Sequence, residues 1–186
     1  MYTSHKTKKG IIMTGALGIT LLLRLLPFRP PNVEPLLATQ MPFAKVFGPW
    51  SAFFFAFSSI FLYDFITQTM GVWTVIVSIV YGLVGVGTAW YVRHKTLTTK
   101  HYVGMAVIGT LVFDILTGFT IGPLFFGQPL LVAIIGQIPF TAIHMAGNVL
   151  LAATLSPVFE KYLQYYMSKE SRKTIIPSII HPKQII

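Results

Sequence analysis

"VEPLLATQMPFAKV", Val33 to Val46, decides how many times this chain crosses a membrane. At 1.5 Å per residue the stretch covers only about 20 Å, against about 30 Å of bilayer hydrocarbon. It also carries Gln40, Pro42 and Lys45. Charge arbitrates. If the stretch crosses, Lys6, Lys8, Lys9, Lys45, Arg93, Lys95, Lys100 and every basic residue from Lys161 onward fall on one side, leaving Arg24 and Arg29 on the other. If it does not cross, the Arg93–Lys100 connection is thrown across with Arg24. Lysine and arginine gather on the cytoplasmic side of membrane proteins, so the pattern favours a crossing helix with the N-terminus inside. A crossing helix that short must be sheltered by its neighbours or tilted very little, and a re-entrant or interfacial segment is the alternative.

The rest of the chain reads easily. Of 186 residues, 54% are hydrophobic and 10% charged, with a mean hydropathy of +0.70, whereas soluble domains carry about 25% charged residues. The expectation is an all-α integral membrane protein. It is a single domain over residues 1–186, a six-helix transmembrane bundle with both termini cytoplasmic. The spans fall at about 10–26, 33–46, 49–67, 72–92, 102–121 and 130–157. Residues 168–186, broken by Pro177 and Pro182, read as a cytoplasmic tail. The first run ends in Leu25-Leu26-Pro27 with no small-x-small cleavage site, so it reads as a retained helix and not a signal peptide. The net charge of +9 sits between apolar runs, which points to membrane orientation and not to nucleic acid. There are no cysteines, hence no disulfides, thiolate metal sites or cysteine nucleophiles.

An ionisable group in a span needs a partner or a use. Glu34, Asp64 and Asp114 all fall toward the outer side in this topology. "FLYDFIT" and "LVFDILT" give the two aspartates matching surroundings, an aromatic before and a threonine three residues after, as in related hairpins at comparable depth. On helix six, Gln137, Thr141, His144 and Asn148 share one face, as either a cavity wall or interhelical hydrogen bonds. Pro139 should kink that helix. Gly10, Thr14 and Gly18, with Gly15 beside them, form a small-residue row on helix one, suited to close approach of another helix from within the bundle or outside it. The other side of helix one is bulky, as lipid contact requires. Four prolines between Arg24 and Gln40 stiffen the outer connector over the mouth, where Asn32 could cap helix two with Glu34 in its first turn. No metal-ligand spacing and no phosphate-binding glycine loop appears, and the residues require no cofactor.

"RLLP…PPNVEP" (Arg24–Pro35), "FGPW" (Phe47–Trp50), Gly71-Val72-Trp73 and "YGLVG" (Tyr81–Gly85) together resemble the substrate-binding S components of energy-coupling factor (ECF) vitamin transporters, over roughly residues 14–157. The resemblance implies a six-helix, non-enzymatic subunit in the plasma membrane of a prokaryote. Such a subunit captures a vitamin-like small molecule from outside with high affinity, then delivers it by docking on a shared transmembrane subunit with two ATPase subunits. Candidate ligand contacts are Asn32, Glu34, Asp64, Gln68, Trp73, Asp114 and Gln137. Candidate docking residues are Gly10, Thr14, Gly15 and Gly18, with Thr14-x-x-x-Gly18 where the family usually has alanine-x-x-x-alanine. Family analogy leans to a cobalamin-type ligand, with thiamine or a queuosine precursor as alternatives. A stand-alone permease and, more remotely, an intramembrane aspartyl protease are the competing readings. The protease lacks support because "TLVFD" stands where a G-x-G-D motif would be needed.

Overall fold

The computed structural model describes the backbone of residues 3–28 and 32–180, and side chains of residues 9–28 and 32–168. Arg29, Pro30, Pro31 and residues 181–186 lie outside the described residues, as do the side chains of Lys6 and Lys8. The chain is all-helical, with no strand among the described residues. Its elements are α1 (Thr3–Arg24), α2 (Leu36–Phe47), α3 (Pro49–Ile66), α4 (Val72–Val92), α5 (Thr99–Gly118), a π-helical turn (Ile121–Phe125) and α6 (Leu130–Ile180). Four segments are long and apolar enough to cross a membrane: Pro49–Ile66, Val72–Val92, Thr99–Phe125 and Leu130–Ser168. Large apolar side chains such as Phe54, Leu83, Ile108 and Ile138 stand exposed on their outer faces, an architecture compatible with a multi-pass membrane protein.

The helices alternate in direction. At one end Arg24, closing α1, pairs with Glu34 just before α2 at 3.2 Å. At the other end Lys9 donates to the Phe47 carbonyl at 3.2 Å, tying the start of α1 to the end of α2. Lys45 donates to the Val92 and Lys95 carbonyls at 2.9 and 2.6 Å, capping the end of α4. There too Tyr102 at the start of α5 donates to Glu160 on α6 at 2.9 Å.

The short helix is the centre of the bundle. From Leu36 to Ala44 every residue of α2 is buried, and α3, α4, α5 and α6 all pack on it. A helix buried on all sides is the environment a uniformly apolar segment requires. Phe43 stacks on Phe55 with centroids 4.5 Å apart. The buried amide of α2, Gln40, donates through Nε2 to the Tyr81 carbonyl at 2.8 Å and the Ala52 carbonyl at 3.3 Å, while its Oε1 has no hydrogen-bond partner among the described residues. Gly85 makes room for this amide, since a Cβ there would lie 2.1 Å from Gln40 Nε2.

Several boundaries differ from expectation. Helix α2 starts at Leu36, behind Pro35, which restricts the backbone before it. Asn32 is therefore not its cap and Glu34 is not in its first turn. Helix α5 runs Thr99–Gly118, not 102–121. Helix α6 does not stop at Pro157 but continues to Ile180, so residues 168–180 are helical and not a broken tail. On α1 the outward face mixes bulky and small residues, with Ile11, Ile19 and Leu22 exposed beside the small-residue row. Ile12, Met13 and Leu17 pack on the core, while the small-residue row faces outward, with nothing within 4 Å of a Cβ added at Gly10, Gly15 or Gly18.

Candidate functional site

A short central helix leaves a hollow. Helix α4, with 21 residues, rises about 31 Å, while α2, with 12, rises about 18 Å. The difference opens above the N-terminus of α2, between the first turns of α4 and α6 and the last turns of α3 and α5. A cavity of about 420 Å³ occupies this space, within the range of small-molecule sites. Its wall descends from Trp73 to Tyr81 on α4 and from Gln137 to His144 on α6, with Ile60 and Asp64 from α3 and Phe113, Thr117 and Gly118 from α5.

Arg24 anchors one side. It is 4% exposed, donates from Nη1 to the Ser59 carbonyl at 2.9 Å, meets both Glu34 oxygens through Nη2 at 3.3 and 3.2 Å, and lies over the Tyr63 ring at 4.3 Å. A guanidinium can hold a carboxylate, a carbonyl and an aromatic face at once. The connector is thereby pinned into the wall. Val33 packs directly on α6, its Cα 3.1 Å from where a Gly147 Cβ would be. Of the described connector residues, Asn32 and Glu34 line the cavity. Asn32 adopts φ 62° there, a left-handed conformation asparagine tolerates.

Asp64 is held by a relay. The Gly71 N–H donates to Thr74 Oγ1 at 3.1 Å, and the Thr74 hydroxyl donates to Asp64 Oδ2 at 2.5 Å. Trp73 folds back over Gly71, where a Cβ would meet its ring at 2.4 Å. Its indole N–H donates to the Thr69 carbonyl at 3.1 Å, and its ring faces Phe126 at 5.9 Å. These two aromatics border the rim.

The floor is a buried polar chain. Asp114 Oδ1 lies 2.7 Å from His144 Nδ1, and His144 Nε2 lies 3.1 Å from the Tyr81 hydroxyl. A carboxylate only accepts, so it fixes the proton on Nδ1. In the neutral ring Nε2 then accepts from Tyr81, a residue that lines the cavity. Phe113 and Phe140 pack edge-on against the imidazole, each with centroids 5.6 Å away. Among the described residues no cluster of three His, Asp or Glu side chains could hold a metal ion.

Five of the seven expected contacts line this one cavity: Asn32, Glu34, Asp64, Trp73 and Gln137. Two do not. Gln68 is exposed in the α3–α4 turn at φ 57°. Asp114 is buried behind His144 and reaches the cavity only through it. The two aspartates are thus not at comparable depth, although both threonines three residues on bond back alike, Thr67 to the Tyr63 carbonyl and Thr117 to the Phe113 carbonyl, at 2.8 Å each. The helix-six stripe divides. Gln137 and His144 line the cavity, Thr141 accepts from Gln137 at 3.2 Å, and Asn148, deeper, donates to Thr110 at 2.8 Å. Tyr81 and Gln128 are lining residues the sequence reading missed. For Tyr81 the signal was present: it lies two helical turns after Trp73, on the same face of α4.

The lining combines one cation, two carboxylates, three amides and several aromatic faces, with a third carboxylate behind the imidazole. It can hold a compact molecule by stacking and hydrogen bonding, with a bias toward positive charge. No family model, curated protein or solved structure matches this chain, so the reading of the site rests on this geometry.

Proposed function

We propose that this chain is the substrate-capture subunit of an ECF-type importer in the plasma membrane of a prokaryote. It crosses six times with both termini in the cytoplasm, and it binds a vitamin-like micronutrient without altering it. One observation carries the reading: side chains from α1, the connector, α3, α4, α5 and α6 converge on a single hollow above the short helix α2. The positively charged end of the bundle, with Lys9, Lys45, Arg93, Lys95 and Lys100, lies opposite that hollow. Positive charge gathers inside, so the hollow faces outward.

The cavity's 420 Å³ favours a ligand of one or two rings over a corrinoid. A cationic or hydrogen-bond-donating heterocycle, as in thiamine or a queuosine precursor, suits the carboxylates and stacks on Trp73 or Phe140. Delivery follows from docking on a shared transmembrane subunit powered by two ATPases, through the outward face of α1. This chain itself supplies a binding site and a docking face. The test is mass spectrometry of small molecules released from the purified chain. A stoichiometric heterocycle supports the reading. A chain that moves solute in liposomes with no partner is a permease instead.

A further inference from the structure

A second hollow lies outside the cavity, on the face of the bundle that would meet lipid. Between α4 and α5 runs a groove of about 470 Å³ lined by side chains such as Leu83, Val84, Met105 and Ile108. Along α4 it extends from Val80 to Tyr91, about 17 Å, slightly more than the roughly 15 Å of hydrocarbon in one leaflet. The groove exists because side chains are missing: Gly87 and Gly104 both line it, and nothing stands within 4 Å of a Cβ added at either.

Its end is basic. Lys100 and His101 close the groove, and Arg93 and Lys95 are exposed in the adjoining turn. Lys95 Nζ lies 3.3 Å from the centroid of the Tyr91 ring, a ring that also lines the groove. The Thr98 backbone N–H donates to His101 Nδ1 at 3.2 Å, which leaves the neutral imidazole's own N–H on Nε2 as a donor. Glu160, the carboxylate described at this end, is engaged by Tyr102 and Gln164 on the α6 side. An apolar slot as long as an acyl chain, ending in several cations, is complementary to one class of molecule.

We infer that the α4–α5 groove binds an anionic glycerophospholipid, with one acyl chain beside Gly87 and Gly104 and the phosphate against Lys100 and His101. Anionic lipids are enriched on the cytoplasmic leaflet, where juxtamembrane basic residues attract them. The inference does not depend on what the outer cavity binds.

The experiment is native mass spectrometry of the purified full chain with phosphatidylglycerol or phosphatidylcholine of identical acyl chains. The wild type should retain phosphatidylglycerol preferentially. Lys100→Ala should cut that preference about fivefold. Gly87→Leu and Gly104→Leu place a side chain in open space, so the fold is kept, and both should reduce retention of either lipid. Recovery of a small molecule from the outer cavity should be unchanged in all three variants, which separates this site from that one. Equal retention of the two lipids by the wild type, or undiminished retention in Gly104→Leu, overturns the inference.

Discussion

Asp114 and His144, thirty residues apart in sequence, share a 2.7 Å hydrogen bond in which both side chains are almost wholly removed from solvent. Asp114 Oδ2 has no further partner among the described residues. Each group is therefore tolerable where it is mainly because of the other. Removing one partner of a buried pair costs about 3–5 kcal/mol, since the remaining polar group stays buried without its counterpart. Asp114→Ala and His144→Ala should each lower the melting temperature in detergent sharply. The double variant should lose clearly less than the two combined. Additive losses would show that the two side chains are not coupled.

Ligand recovery should sort the expected contacts. Glu34→Gln and Asp64→Asn each replace a charged acceptor in the wall with a neutral amide. A hydrogen bond to a charged group contributes about 1.5–3 kcal/mol, so retention should fall about tenfold or more for each. Gln68→Ala, in the exposed turn, should change nothing. Gly118→Ala offers a finer probe, because its Cβ would lie 2.2 Å from Gln137 Oε1. The end of a flexible side chain can swing away, so melting should hold while retention drops. Undiminished retention in both Glu34→Gln and Asp64→Asn would remove these carboxylates from the site.

How far the sequence could lead is clearest at α2 and α6. The apolar runs were enough to find the six α-helices, because burial in protein or lipid leaves that mark, though not the π-helical turn at Ile121–Phe125. They could not place α2 at the centre, since a segment apolar on all sides looks the same whether it is sheltered by helices or by lipid. Pro157 was read as a stop. Yet Val149, Ala152, Ser156, Phe159 and Leu163 continue one inward face: Ser156 donates to the Ala38 carbonyl at 2.7 Å, and Leu163 is fully buried. That heptad-like spacing was the missed signal, and packing overrode the local cost of proline. The depth of Asp114 was not legible at all. Its neighbours mimic those of Asp64, and only His144 on another helix decides that one carboxylate lies behind the wall and the other in it.

Gly85 should be far less replaceable than Gly87, one half-turn away on the same helix. An alanine at 85 must displace the Gln40 amide and forfeit its bonds to the Tyr81 and Ala52 carbonyls. A loss of about 2–3 kcal/mol follows from leaving buried polar groups unsatisfied. Gly87→Ala meets nothing within 4 Å and should be neutral or stabilising by up to about 1 kcal/mol through helix propensity. Thermal melting of the two variants side by side is the measurement. Equal melting temperatures would mean that Gln40 has another low-energy position.

Helix α1 allows docking to be separated from folding. Ala16, on its inner face, is 8% exposed, and Thr20 and Arg24 follow it at helical spacing into the bundle. Gly18 lies on the outer face with open space where its Cβ would be. Ala16→Leu should therefore overpack the core and lower the melting temperature, by about 1–3 kcal/mol of stability. Gly18→Leu should leave melting and ligand recovery as they are, yet abolish the close helix approach that a small-residue row permits. Co-purification from the native membrane reads the difference. The wild type should bring down a larger membrane subunit with two ATPases, and Gly18→Leu should bring down much less while still holding its ligand. If Gly18→Leu captures the partner as well as the wild type, the docking face is elsewhere, because no described residue lies within 4 Å of a Cβ added at Gly18.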